Sequence, residues 1–275
     1  MFPAFILTVR EGLEAALIVG IVLGVLTKIE RPELKLTVWM GAGAAFVMSI
    51  LLAAGLTFMD TALEGRAGDI FEGVMMLTAA AMLTWMIFWM AKYGRYLNEN
   101  LKTEVRISIK TGSKWALFSL AFFAVAREGA ELALLLTATS LTAGTLPTLL
   151  GAGLGLATSF LLAWLLLSSL IKLDIRLFFK VTNVLLILFA AGLVAYGVHE
   201  LNEALVVPSI IEHLWDINWL LDEKSTVGQT LKILFGYNGN PSLTEVMAYI
   251  GYLAFVIAGL QYQQRRPLST NVMPA

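Results

Sequence analysis

Cysteine is absent from the 275 residues, and histidine occurs only as His199 and His213. The first absence excludes disulfides, thiolate metal sites and thiol catalysis. The second argues against a His-rich zinc or haem centre. Charge is scarce as well: 14% of residues are charged, against about a quarter in a soluble domain, while 58% are hydrophobic. One water-soluble core of this size has no room for so much apolar surface, so the composition implies a lipid solvent. The net charge of −1 is uninformative until its distribution is read. A cleaved signal peptide is not expected at the start. There is no basic leader, and Arg10, Glu11 and Glu14 interrupt the apolar run, so the first segment reads as a retained helix.

A membrane-crossing helix needs roughly 20 mainly apolar residues. Seven stretches qualify, at about 4–27, 36–58, 70–91, 115–139, 148–171, 178–199 and 245–263. Basic residues fall on one side of them: Lys28, Arg31 and Lys35; Lys92, Arg95, Lys102, Arg106, Lys110 and Lys114; Lys172, Arg176 and Lys180; Arg265 and Arg266. That is 14 of the 19 Lys and Arg, and the positive-inside rule makes that side cytoplasmic. The opposite side has Arg66, Lys224 and Lys232. The N-terminus is then outside and the C-terminus inside. Trp39, Trp85, Trp89, Tyr93, Tyr96 and Trp115 fit an aromatic belt at the inner interface.

The outer side is acidic, with Asp60, Glu64, Asp69 and Glu72 after the second segment. Glu200, Glu203, Glu212, Asp216, Asp222, Glu223 and Glu245 bracket the longest loop. This is either ordinary solvated loop or a cation-attracting vestibule. Within that loop, Ile210, Ile211, Leu214, Trp215, Leu220 and Leu221 predict a short helix on the membrane surface or capping the bundle. Asn238 to Pro241 form a turn, and Ser242 with Glu245 makes a capping box that opens the seventh helix.

The chain repeats itself. Arg10-Glu11-Gly12-Leu13-Glu14 in the first segment recurs as Arg127-Glu128-Gly129-Ala130-Glu131 in the fourth. Three crossings leave the chain on the other side, so a repeated three-helix unit is inserted upside down, the plan of many secondary transporters. The expected organisation is a single all-α transmembrane domain over 1–275. It has one repeat at about 1–111, another at about 112–205, and the outer loop with a seventh helix at about 206–275. At 1.5 Å per residue, Glu11 lies roughly 12 Å below the outer surface and Glu128 roughly 10 Å, so the motifs are nearly level.

Ionised side chains at membrane depth cost at least about 2.5–3.5 kcal/mol and normally face a protein interior or water cavity. Within each motif the two glutamates are three apart and share a face, while the arginine and the second glutamate are four apart and can pair. Gly12 and Gly129 leave room for a neighbouring helix. Four carboxylates and two arginines leave a formal charge of −2. Such a site raises its carboxylate pKa values or binds a cation, and oxygen ligands select hard ions. Trivalent iron fits on charge, as do Mn²⁺, Ca²⁺ and protons. The bland alternative is a pair of structural salt bridges, which the duplication and the surplus acid disfavour.

Other features weigh less. Met82, Met86 and Met90 form a stripe read as packing or lipid contact. Gly20 with Gly24, and Gly151 with Gly155, are small-residue helix contacts. Glu72, His199, Glu200 and Glu203 are candidates for taking metal in from the outside.

The doubled motif resembles that of the oxidase-dependent iron permease family, which includes the membrane subunit of bacterial Efe-type uptake systems. The likeness extends along the chain, through Phe71-Glu72-Gly73, Leu83 to Met86, Phe122 to Ala126, Phe235-Gly236-Tyr237 and Pro241-Ser242. It implies ferric iron transport through a multi-pass protein of the bacterial inner membrane, with Glu11, Glu14, Glu128 and Glu131 as iron ligands and Arg10 and Arg127 balancing charge. It implies the compact bacterial form, served by a separate oxidase or periplasmic iron-binding protein. Ala130 stands where the first motif has Leu13, but both acids are kept. No catalytic residue, cofactor or nucleic-acid partner is expected, and iron is cargo. The rivals are a carrier of another cation such as Mn²⁺ or Pb²⁺, a membrane enzyme using a buried glutamate, and a structural subunit.

Overall fold

The computed structural model describes residues 1–93, 114–168, 175–219, 221–222, 225, 228, 231–232 and 235–265. Arg95, Tyr96, Lys102, Arg106, Lys110, Lys172, Leu220, Glu223, Lys224 and Arg266 lie outside them, as do the side chains of Lys92, Tyr93 and Arg176. Among the described residues there are seven long α-helices and no strand. They are α1 (Phe2–Lys28), α2 (Lys35–Ala62), α3 (Arg66–Tyr93), α4 (Lys114–Ala143), α5 (Thr145–Leu167), α6 (Ile175–Glu203) and α7 (Leu243–Arg265). Local chemistry sets several of the boundaries. A proline sits in the first turn of α1, where its missing N–H costs nothing. Gly144, at φ +83°, takes a backbone conformation other residues avoid and splits α4 from α5.

Five of the seven, α2, α3, α5, α6 and α7, are long and apolar enough to cross a membrane on composition alone. The two that fall short are α1 and α4, whose length is ample but whose middles carry the Arg-Glu-Gly motifs.

Contacts between helices fix their relative directions. Met1 and Ala4 meet Gly151, Thr8 meets Gly155, and Gly12 meets Ser159, so α1 and α5 run parallel. Phe118 and Ala121 meet Gly41, and Gly129 meets Ser49, so α2 and α4 run parallel too. In contrast, α3 and α6 cross antiparallel with backbones touching at Gly73 and Gly197. Antiparallel packing also joins α1 to α4, because Leu7 shares a buried cluster with Leu135 and Ala138, and Val19 and Val22 share another with Leu117 and Ala121. Finally, α7 lies parallel to α3, through Thr84 and Tyr252 hydroxyls 2.9 Å apart and a bond from Gln263 Nε2 to the Phe88 carbonyl. All five relations are those of a chain that reverses direction at every turn.

The two parallel pairs are built alike. Phe118 and Ala121 follow Met1 and Ala4 at the offset that separates Arg127 from Arg10. Gly151 and Ser159 follow Gly41 and Ser49 at a single offset as well.

Three expectations need correction. Residues 210–219 form no helix; they run as an irregular strap whose backbone pairs with the turn before α7. Leu214 N–H donates to Pro241, Ile217 N–H to Gly239, and Leu243 N–H to Ile211. With its amides engaged across to another segment, the strap has no need of helical bonds. Gly24 meets nothing within 4 Å, so of the first small-residue pair only Gly20 is a helix contact, against Leu167. Trp89, assigned to the interfacial belt, lies instead under the Arg127 guanidinium. Trp39, Trp85 and Trp115 do point outward. The capping box is present: Glu245 N–H donates to Ser242 Oγ and Ser242 N–H to Glu245 Oε1, each at 3.2 Å.

A candidate metal centre between the two motif helices

Antiparallel α1 and α4 bring the motifs face to face. One carboxylate oxygen each from Glu11, Glu128 and Glu131 lies within 4.8 Å of the others, and all three residues are buried. Each of the three has one buried carboxylate oxygen, Oε2, without a hydrogen-bond partner. Two carboxylates at that separation repel by roughly 3–4 kcal/mol even at an effective dielectric of about 20. Buried acids left this way call for a cation or for protons. The centre of the three oxygens lies no more than about 2.8 Å from each, close to the 2.3–2.6 Å typical of oxygen-ligated calcium.

Glu14 stands beside this trio and not within it. Its Oε1 is 3.4 Å from Arg10 NH2, and its side chain is 13% exposed. Arg10 is fully buried and its NH1 donates to Glu11 Oε1 at 2.6 Å. Arg127 differs. Its side chain is 42% exposed, with Nε 3.1 Å from Glu131 Oε1 and 4.0 Å from Glu128 Oε1. Arg127 is therefore not buried as Arg10 is, and its guanidinium escapes full desolvation over the Trp89 ring.

The glycines act as expected. A Cβ on Gly12 would run into Ser159 Oγ, and one on Gly129 into Ser49 Oγ, so each motif glycine lets the parallel partner helix close in beside the carboxylates.

Along α1, an apolar cluster lies on each side of the site. Toward the start of α1, Leu7 packs with Met76, Leu135, Ala138 and Phe189. Toward its end, Val19, Val22 and Leu26 pack with Val38, Leu117 and Ala121.

The remaining candidates lie away from the trio. Glu72 is half-buried near the start of α3, within electrostatic range of Glu200, Asp60 and Asp69. His199 Nδ1 is 3.1 Å from Glu245 Oε1, and Asn238 Nδ2 donates to the other oxygen of Glu245, so His199 braces the start of α7. Glu203 sits at the end of α6. Two residues of the site went unread in the sequence. Met86 Sδ accepts from Arg10 NH1 at 2.7 Å, and Trp89 carries Arg127. Their spacing of three on α3 was visible, but a methionine stripe and a tryptophan belt have commoner explanations.

Known proteins resemble this chain along most of its length. Residues 1–265 match the iron permease FTR1 family. The chain is 36% identical over 258 residues to the ferrous iron permease EfeU of Escherichia coli O6:H1, covering 92% of each protein. It is 36% identical to EfeU of Shigella sonnei over the same length, and 33% identical over 257 residues to EfeU of Yersinia pestis, covering 92% of this chain and 90% of that one. No solved structure matches.

Proposed function

The chain belongs to the iron permease FTR1 family, and we propose that the iron it moves across the membrane is held by Glu11, Glu128 and Glu131, with Glu14 as a fourth carboxylate alongside. As in the relatives, the activity is transport and not catalysis. The observation that carries the proposal is the convergence of three buried carboxylates, between two apolar clusters, from motifs far apart in sequence.

All seven helices cross the bilayer in this reading, with the N-terminus outside and the C-terminus in the cytoplasm, in the inner membrane of a bacterium. The alternating helix directions support the crossing, and the distribution of Lys and Arg supports the orientation. Two inverted three-helix repeats, with α7 added, account for the matched packing of α1 on α5 and α4 on α2. Iron gathers at the outer acids around Glu72 and Glu200, passes when the Leu7–Leu135 cluster parts, and binds the trio. The Val22–Leu117 cluster then opens to release it. Closing one cluster before opening the other keeps the path from becoming a pore.

The relatives are named for ferrous iron, while the family resemblance points to ferric iron supplied by a separate oxidase or periplasmic binding protein. Carboxylate oxygens bind both. We assign Fe(III) as the species held by the trio, because it is the harder ion and every ligand offered is a carboxylate oxygen.

Uptake of radioactive iron into proteoliposomes tests this, supplied as ferric citrate or as ascorbate-reduced Fe(II), with Mn²⁺ as competitor. The expected result is uptake of ferric iron that Mn²⁺ barely inhibits and that Glu11→Gln and Glu128→Gln abolish. Undiminished uptake by well-inserted variants contradicts the site. Uptake of Fe(II) alone contradicts the oxidation state.

A further inference from the structure

Helix α3 touches both motif arginines, and it does so through side chains that carry no charge. Arg10 NH1 has two acceptors, Glu11 Oε1 at 2.6 Å and Met86 Sδ at 2.7 Å, while NH2 is 3.4 Å from Glu14. Three residues further along α3, the Trp89 ring lies 4.6 Å from Arg127 Cζ. A spacing of three puts Met86 and Trp89 on one face of the helix. Met86 is 2% exposed and Arg10 is not exposed at all, so neither is open to bulk water.

This bears on what happens to the arginines when a cation arrives. Arg10 NH1 bonds to Glu11 Oε1, and iron needs the same carboxylate. An incoming ion must weaken the bond between Arg10 NH1 and Glu11. A buried donor that loses its acceptor pays a large desolvation penalty unless another stands ready. Met86 Sδ is already in place. Trp89 offers Arg127 the equivalent, a π face that attracts the guanidinium without competing for metal.

We propose that Met86 and Trp89 are positioning residues for iron binding: they hold the Arg10 and Arg127 guanidinium groups as iron displaces them from the motif carboxylates. The inference rests on iron occupying the trio. A thioether and an indole suit the task because neither adds negative charge, which would trap the arginine and bind iron in its own right.

Iron binding to the purified full-length protein in detergent tests this, alongside transport kinetics and thermal unfolding. Met86→Leu keeps the side-chain volume and removes the acceptor. It is expected to raise the iron Kd and transport KM about tenfold, with kcat and the unfolding midpoint unchanged. Met86→Gln, which restores an acceptor, is expected to return Kd to within about twofold of the unaltered protein. Trp89→Leu raises Kd several-fold, and Trp89→Phe, which keeps a π face, raises it less. Wild-type affinity in Met86→Leu overturns the proposal, as does Met86→Gln binding no better than Met86→Leu. Failure of the unaltered protein to bind iron, or binding that survives Glu128→Gln, overturns the site reading itself and this inference with it.

Discussion

Glu11 on α1 and Glu128 on α4 present carboxylate oxygens within 4.8 Å of one another, inside a bundle that leaves neither residue more than 5% exposed. Like charges are not left together in a low-dielectric interior unless something positive comes between them. Arg10 accounts for part of it, and protons or the proposed iron ion for the rest.

The four motif glutamates are therefore unequal. Glu11→Gln, Glu128→Gln and Glu131→Gln are each expected to weaken iron binding by at least about tenfold, since each removes a charged ligand from the trio. Glu14→Gln, outside it, is expected to cost only a few-fold. Equal losses across all four, measured by equilibrium iron binding, contradict this ranking.

The arginines are unequal too. Arg10 is wholly buried between two acids, and removing one partner of a buried pair typically costs about 3–5 kcal/mol. Arg10→Ala is expected to lower the thermal unfolding midpoint sharply, and Arg10→Lys to recover little, because a lysine cannot span Glu11, Glu14 and Met86 together. Arg127 is 42% exposed, so Arg127→Ala is expected to lower the midpoint much less. Reversal of that order contradicts the burial difference.

How much of this was legible in the sequence depends on the range of the interaction. The helices, the motif pairing of Arg10 with Glu14 and Arg127 with Glu131, and the Ser242–Glu245 cap are local, set by spacings of three and four, and all were readable. The level placement of Glu11 and Glu128 was readable from depth alone. Contacts between helices were not. Nothing in the order of residues says that Met86 meets Arg10, that Arg127 turns toward Trp89, or that Glu14 stands aside from the trio. The strap at 210–219 failed for the opposite reason: its apolar spacing suits a helix, but pairing with the turn at 239–243 satisfies its backbone first.

The motif glycines give a test of the packing that frames the site. Gly12→Ala and Gly129→Ala drive a methyl group into Ser159 and Ser49. Each is expected to destabilise the bundle by about 1–3 kcal/mol, the usual cost of overpacking. Ser159→Gly should rescue the first and Ser49→Gly the second, and neither should rescue the other. Cross-rescue, read from unfolding midpoints of the double variants, contradicts the pairing of α1 with α5 and α4 with α2.

At the outer end, the Ser242–Glu245 cap holds the start of α7 and, through His199, ties it to α6. Ser242→Ala is expected to lower stability by about 0.5–2 kcal/mol, the range for losing an N-cap, with iron affinity unchanged. A large loss of iron affinity in this variant contradicts the separation of cap from metal site.

The central claim is that iron sits between α1 and α4, and anomalous diffraction at the iron absorption edge, from crystals grown with iron, tests it most directly. The account predicts one strong peak bounded by Glu11, Glu128 and Glu131, lost in crystals of Glu128→Gln. A protein that carries iron but shows its peak only among Glu72, Glu200 and Asp69, with the trio empty, contradicts it.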